Sequence, residues 1–147
     1  MVEIFLEDAF FKKTLKELSL AIEKSNKFFR EKGSFSFCKT CADCGIICCG
    51  KGLEWKLSPE EFLINLCLFS QNNESFLFPQ NSPEFCLFLG KKGCTLKLVP
   101  LFCRNFFCTS LSQYLGEKNL IEIQQAMEEE ALLSFKLCEY LKKTLKY

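Results

Sequence analysis

The chain has 147 residues, of which 48% are hydrophobic and 25% are charged, and its formal net charge is +1 at pH 7. This composition is typical of one globular domain and not of a disordered chain. The near-neutral charge leaves no basic surplus for nucleic acid, so we expect no nucleic-acid partner. The chain contains no histidine, which excludes Cys/His zinc fingers, Ser–His–Asp triads and catalytic Cys–His pairs.

The compartment matters because the chain has eleven cysteines. Its first residues carry acids where a signal peptide needs Lys or Arg. The longest apolar run, at 62–69, contains Asn65 and is too short to span a bilayer. We therefore expect a cytoplasmic protein without a membrane span, in which clustered cysteines bind metal more often than each other.

Long amphipathic helices are predicted at both ends of the chain. Residues 8–32 predict a helix with Asp8 as its N-cap and a stop at Gly33. Residues 119–146 predict the last helix, with Asn119 as N-cap and Glu122 at the capping-box position. We expect these helices to pack together and to hold a cysteine-rich module, about 34–110, within a single domain spanning 1–147. The apolar positions behind this expectation are Phe11, Leu15, Leu18, Ile22, Phe29, Leu120, Ile123, Met127, Leu133, Leu137 and Leu141.

A loop expected at 34–56 contains a dense run of five cysteines. Their spacing is C-x2-C-x2-C-x3-C followed by one more Cys, and the first four match the bacterial ferredoxin run that binds an iron–sulfur cluster. The last two are adjacent and point in different directions, so both can ligate only in a cluster or in two separate centres. The spacing favours metal ligation over free or disulfide cysteine. These residues are Cys38, Cys41, Cys44, Cys48 and Cys49.

The middle of the chain predicts a capped helix, a loop and a hairpin. Ser58, Pro59 and Glu61 form an N-terminal capping pattern for a helix that ends near Phe69. Residues 71–83 predict an irregular loop, and residues 85–98 predict a short β-hairpin with its turn at 90–93. The expected fold class is therefore mainly α with a short β-hairpin.

A second, looser set of cysteines accompanies the hairpin. Two of them flank its turn, and metal ligation is favoured over the alternative of buried apolar residues. Arg104 lies beside this set, where it would either donate to a cofactor sulfur or remain a surface arginine. Cys67 and Cys138 lie within helices among apolar residues, so we expect them to be small core residues. The second set comprises Cys86, Cys94, Cys103 and Cys108.

The ordered combination of motifs over about residues 38–108 resembles the YkgJ-type cysteine-cluster family, a zinc- or iron-chelating domain. A similar module occurs in the flagellin lysine methylase, which is linked to a 4Fe–4S cluster. This chain departs from the family pattern by an extra residue between Cys44 and Cys48, by Cys38, and by Val99 in place of an arginine. The motifs that carry the resemblance are Cys41–Gly50, Leu57–Glu61, Cys86–Leu89, Gly93–Leu96 and Pro100–Phe106.

The resemblance and the spacing together favour a 4Fe–4S cluster over zinc, although all-sulfur sites suit both. Three functions stay open. The first is a redox or cluster-carrying accessory protein with a protein partner. The second is a zinc-stabilised interaction module without catalysis, and the third is a subunit of a cluster-dependent enzyme.

Overall fold

The computed structural model describes residues 2–43 and 48–145, without the side chains of 41–43. The fold is mainly helical with one short antiparallel hairpin, which confirms the expected fold class. The helices are α1 (Val2–Glu7), α2 (Ala9–Glu31), α3 (Ser34–Asp43), α4 (Pro59–Gln71), α5 (Leu101–Arg104), α6 (Thr109–Ala126) and α7 (Glu128–Leu145). A 3-10 helix spans Leu53–Lys56, and the strands are β1 (Leu89–Gly90) and β2 (Gly93–Cys94).

The predicted pairing of the first long helix with the last is confirmed. Helix α2 makes its most extensive contacts with α7. The Asp8 side chain caps α2 by accepting from the Phe11 N–H at 2.9 Å, and Gly33 follows the helix with φ of 81°. Fully burying a leucine-sized side chain contributes about 2 kcal/mol, so the apolar stripe of α2 is a main source of stability. The core that it shares with α1, α4 and α7 includes Phe11, Leu15, Leu18, Ile22, Ile64, Leu68, Leu137 and Leu141.

The N-terminus of α4 also forms as predicted. Ser58 accepts from the Glu61 N–H at 3.1 Å, and the Glu61 carboxylate accepts from the Ser58 N–H at 3.0 Å. Pro59 occupies the first helical position, where no N–H is needed. The helix runs to Gln71, close to its expected end.

Two expectations about element boundaries and one about a helix cap are wrong. The loop expected at 34–56 begins as helix α3. The last helix does not start at Asn119. Instead, α6 begins at Thr109, contains a non-helical Gly116 and ends at Ala126, just before α7. The Asn119 side chain is no cap, because it donates to the Leu115 carbonyl at 2.8 Å.

The hairpin is shorter than expected. Each strand has only two residues, pairing Leu89 with Cys94 and Gly90 with Gly93. On one side the chain turns at once, because the Leu89 N–H donates to the Cys86 carbonyl at 3.0 Å. On the other side, the N–H groups of residues 97 and 98 donate to the buried side chain of Asn65 instead of to a strand.

Candidate metal centre

Backbone pairing brings the two cysteine sets together. Gly50 and Phe85 form an isolated antiparallel bridge, and the Cys86 N–H donates to the Cys49 carbonyl at 2.9 Å. The last cysteine of the first run therefore lies beside the first cysteine of the second set. Cys86 is buried, and Cys49 packs against the apolar cluster that contains it.

The hairpin and α5 supply two further thiols. Cys94 ends β2, opposite Leu89. Cys103 lies on α5, which contacts the 3-10 helix Leu53–Lys56. The Lys56 ammonium lies 4.6 Å from the centre of the Phe102 ring, next to Cys103.

The thiols of Cys49, Cys86, Cys94 and Cys103, here called the four-thiol group, influence one another electrostatically. Burial, together with smaller contributions from the other three thiols, raises the pKa of Cys94 to about 11, although the residue as a whole is exposed. Burial also raises the pKa of Cys103, and Cys49 and Cys86 add to that effect. Because such effects fall with distance, these thiols lie within electrostatic range of one another.

The four thiols do not by themselves form a complete coordination site. Within residues 2–43 and 48–145, no three Cys, Asp or Glu side chains are arranged so that they could share one metal ion. The four-thiol group is therefore a convergence of sulfur donors from three chain segments. Its chemistry fits a sulfur-rich metal group, because four thiolates are the donor set of structural zinc and of 4Fe–4S clusters.

The remaining predicted ligands are placed elsewhere or not described. Cys38 lies on α3, and both Cys38 and Cys48 are exposed. Cys108 is the N-cap of α6, where its sulfur accepts from the Leu111 N–H at 3.4 Å. It packs with the apolar cluster around Phe29. The side chain of Cys41 and all of Cys44 lie outside the described residues. The ferredoxin-like run therefore stays a prediction.

The two cysteines assigned to the core differ. Cys67 is fully buried in the main core, as expected, and burial raises its pKa to about 11. Cys138 is only partly buried, but it packs against the same core, and burial likewise raises its pKa to about 11. Both are poor nucleophiles because little thiolate forms at neutral pH.

Arg104 is not a surface residue. It is 8% exposed, and its Nε donates to Glu130 Oε2 at 3.4 Å. Its guanidinium also lies 4.5 Å from the centre of the Phe29 ring. Burial raises the pKa of Glu130, and the Arg104 charge opposes that rise. The principal partner of Arg104 is thus a carboxylate on α7.

Sequence reasoning missed two polar residues that hold segments adjoining the four thiols in sequence. Glu54 accepts from the Gly52 N–H at 3.1 Å and from the Leu87 N–H at 3.4 Å, and its charge raises the pKa of Cys86. Asn65 anchors the segment after β2. The only sequence signal for Asn65 was a polar residue inside an apolar helix. Trp55, on the 3-10 helix, is 86% exposed.

Comparisons of the chain with protein-family models, with curated proteins and with solved structures give no match. The resemblance to the YkgJ-type family therefore stays a prediction. Among the described residues, no helix combines the length and apolar character needed to cross a lipid bilayer.

Proposed function

We propose that the protein binds a 4Fe–4S cluster and that the four-thiol group supplies its ligands. The observation that supports this proposal is the convergence of Cys49, Cys86, Cys94 and Cys103 from three segments of the chain. A packing role does not explain why thiols from both cysteine sets lie within electrostatic range of one another. When bound, such a cluster supplies one-electron transfer or inorganic cluster delivery.

The chain's own residues would hold and shield the cluster. Phe88 and Leu96 are buried beside Cys86 and would limit water access on that side. Lys56 lowers the pKa of Cys103, so its positive charge would favour the thiolate form needed for ligation. The Glu54 carboxylate has the opposite effect on Cys86, because its negative charge raises the pKa of that thiol.

We infer that the protein is a redox or cluster-carrying accessory protein in a reducing cytoplasm, acting on a protein partner. Trp55 and Phe102 support a partner because they are 86% and 54% exposed on the two elements that flank the four-thiol group. If the protein is instead a subunit of a cluster-dependent enzyme, the surface around Trp55 and Phe102 would contact the other subunit.

A zinc-stabilised interaction module is the second candidate. It is favoured by one observation, that Cys86 and Cys94 flank a short turn and hairpin, a geometry typical of structural zinc sites. Zinc would then contribute folding free energy without any chemistry.

Anaerobic purification followed by iron, sulfide and zinc analysis tests both candidates. A brown protein that absorbs at about 400 nm, with about four iron and four sulfide per chain, supports one cluster. About eight iron per chain would indicate a second centre on the ferredoxin-like run. A colourless protein with stoichiometric zinc supports the second candidate, and a metal-free folded protein contradicts both.

Single substitutions identify the ligands. Cys86→Ser and Cys103→Ser should lose nearly all bound metal, because each removes one of four donors. Cys138→Ala is the matched control and should keep its metal, since that thiol lies against the helical core. Cys108→Ser and Cys41→Ser report whether these predicted ligands contribute. Full metal retention in Cys86→Ser would contradict the assignment of the four-thiol group.

A further inference from the structure

The backbone register places two cysteines of the four-thiol group opposite each other. Gly50 faces Phe85 in an antiparallel bridge. The next pair outward is joined by the hydrogen bond from the Cys86 N–H to the Cys49 carbonyl at 2.9 Å. Cys49 is therefore the cross-strand neighbour of Cys86, although the two residues come from different cysteine sets.

This placement suits a direct sulfur–sulfur bond. Opposite residues of an antiparallel pair have their Cα atoms about 4.5–5.5 Å apart and share one face, and disulfides usually join Cα atoms about 4.4–6.8 Å apart. The two side chains do share a face, because Cys49 packs against the apolar cluster formed by Cys86, Phe88 and Leu96. Burial raises the pKa of Cys49, and the Cys86 thiol is the next largest cause of that rise.

The other two thiols of the group have different backbone positions. Cys94 pairs with Leu89 across the hairpin, and Cys103 lies on α5. Neither is therefore held opposite Cys49 or Cys86 by the backbone. Cys49 is half-buried, whereas Cys86 is 9% exposed, so an oxidant from solvent reaches Cys49 first.

We propose that Cys49 and Cys86 form a reversible disulfide when the metal-free protein meets a peroxide. Hydrogen peroxide oxidises the Cys49 thiol to a sulfenic acid and releases one water. The Cys86 sulfur then attacks the Cys49 sulfur, and the Cys86 proton leaves with the hydroxyl group as a second water. The two thiols lose two electrons to the peroxide, and a thiol reductant reverses the bond. In a reducing compartment, disulfides that do form are typically transient and redox-sensing.

The disulfide controls metal loading, a consequence that rests on the proposed ligation by the four-thiol group. It removes two of the four donors, so that only Cys94 and Cys103 of the group remain for a metal. Conversely, a bound metal occupies both sulfurs and protects them from oxidation. Metal uptake is in this way coupled to the peroxide level.

Peptide mapping of the metal-free full chain tests the disulfide without any metal. The protein is stripped with a chelator and a reductant, desalted, treated with hydrogen peroxide, capped with N-ethylmaleimide and digested with trypsin. We expect the tryptic peptides 40–51 and 57–91 to be linked, with fragment ions that assign the bond to Cys49 and Cys86. Reduction should separate the two peptides. Absence of this linkage, or a bond from Cys86 to another thiol as the main product, would overturn the proposal.

Cys49→Ser and Cys48→Ser form a matched pair, because they change adjacent thiols of the same tryptic peptide. The linkage should be lost in Cys49→Ser and kept in Cys48→Ser, while circular dichroism checks that both variants fold. An unchanged yield of the linkage in Cys49→Ser would contradict the assigned pair. If Cys49→Ser does not fold, the fragment ions of the unsubstituted protein still decide the assignment.

Titration with Zn²⁺ against a chromogenic chelator tests the control of metal loading. Zn²⁺ is the probe because four thiolates also bind zinc, whereas the sulfide needed to build a cluster would reduce the disulfide. The oxidised protein should bind Zn²⁺ at least about tenfold more weakly than the reduced protein, and dithiothreitol should restore the affinity. Equal affinities of the two forms would contradict the control of loading. A reduced protein that binds no Zn²⁺ would refute ligation by the four-thiol group, while the peptide map still decides the disulfide.

Discussion

At the scale of single residues, Asn65 does more for the architecture than its position in the sequence suggests. It is fully buried on α4. Its Nδ2 donates to the carbonyls of Glu61 and Leu98, and its Oδ1 accepts from the N–H groups of Lys97 and Leu98 at 2.9 and 2.8 Å. The side chain thus replaces a β-strand partner for the segment between β2 and α5, which carry Cys94 and Cys103.

Asn65→Ala should lower the free energy of unfolding by about 3 kcal/mol or more, because it leaves buried backbone N–H and carbonyl groups without partners. Urea denaturation followed by circular dichroism measures this change. Asn72→Ala is the control, since Asn72 is exposed at the end of the same helix, and it should change stability by less than about 0.5 kcal/mol. Equal losses for the two variants would contradict the bridging role of Asn65.

At the scale of secondary-structure elements, the break in α6 depends on a glycine. Gly116 has φ of 77° and ψ of 162°, a conformation that is essentially restricted to glycine. The break lets the first part of α6 bury Leu111 and Leu115 against Phe29, while Ile123 from its second part joins the same cluster. A straight helix would turn one of these parts away.

Gly116→Ala should lower the free energy of unfolding by about 2 kcal/mol, because alanine is strained at this φ and ψ even where space is free. Chemical denaturation measures the loss. Gly50→Ala is a matched control, because Gly50 has no positive φ and a Cβ there would meet no atom within 4 Å. A stabilised Gly116→Ala variant would indicate that α6 is continuous in solution.

At the scale of the whole molecule, a hydrogen bond connects the start of α2 to α7, near the two ends of the chain. The Tyr140 hydroxyl on α7 donates to Asp8 Oδ2, while Asp8 Oδ1 caps α2. The Tyr140 hydrogen bond, followed by the Phe11 N–H, holds the pKa of Asp8 below its ordinary value of 3.8. A carboxyl group whose pKa is depressed by folding stabilises the fold above its unfolded pKa, and the stabilisation is lost as the pH falls through the folded pKa.

Asp8→Asn should therefore lower the melting temperature by a constant amount between about pH 5 and pH 8. The difference from the unsubstituted protein should shrink as the pH falls below 3.8, where the Asp8 carboxyl of the unfolded chain binds a proton, and disappear once the pH has passed the lower pKa of the folded protein. Thermal denaturation over a pH series measures it. In a Tyr140→Phe background the effect of Asp8→Asn should be smaller, since the two side chains share one contact. A difference that does not vary with pH would contradict the role of the Asp8 charge.

Features that depend on neighbouring residues could be predicted from the sequence. The Asp8 cap, the Ser58–Glu61 capping box and the apolar stripe of α2 each involve residues a few positions apart, and the structure confirms all three. One or two helical turns from Thr109 are predicted by the sequence, but the extent of α6 to Ala126 is not, because Asn119 offered a stronger local signal for a new helix. The hairpin was overextended because its strand pattern ignored Asn65 as a competing partner.

By itself, the sequence determined the helical class of the protein, the apolar face of α2 and the presence of two cysteine sets. Only the tertiary structure decided which cysteines are neighbours. It placed Cys49 beside Cys86 through a backbone hydrogen bond, and it paired Arg104 with Glu130, 26 positions further along the chain. Local patterns encode how a segment folds and which face it buries, because propensity and capping act over a few residues. Contacts between distant segments depend on how complete elements pack, and no local spacing records that arrangement.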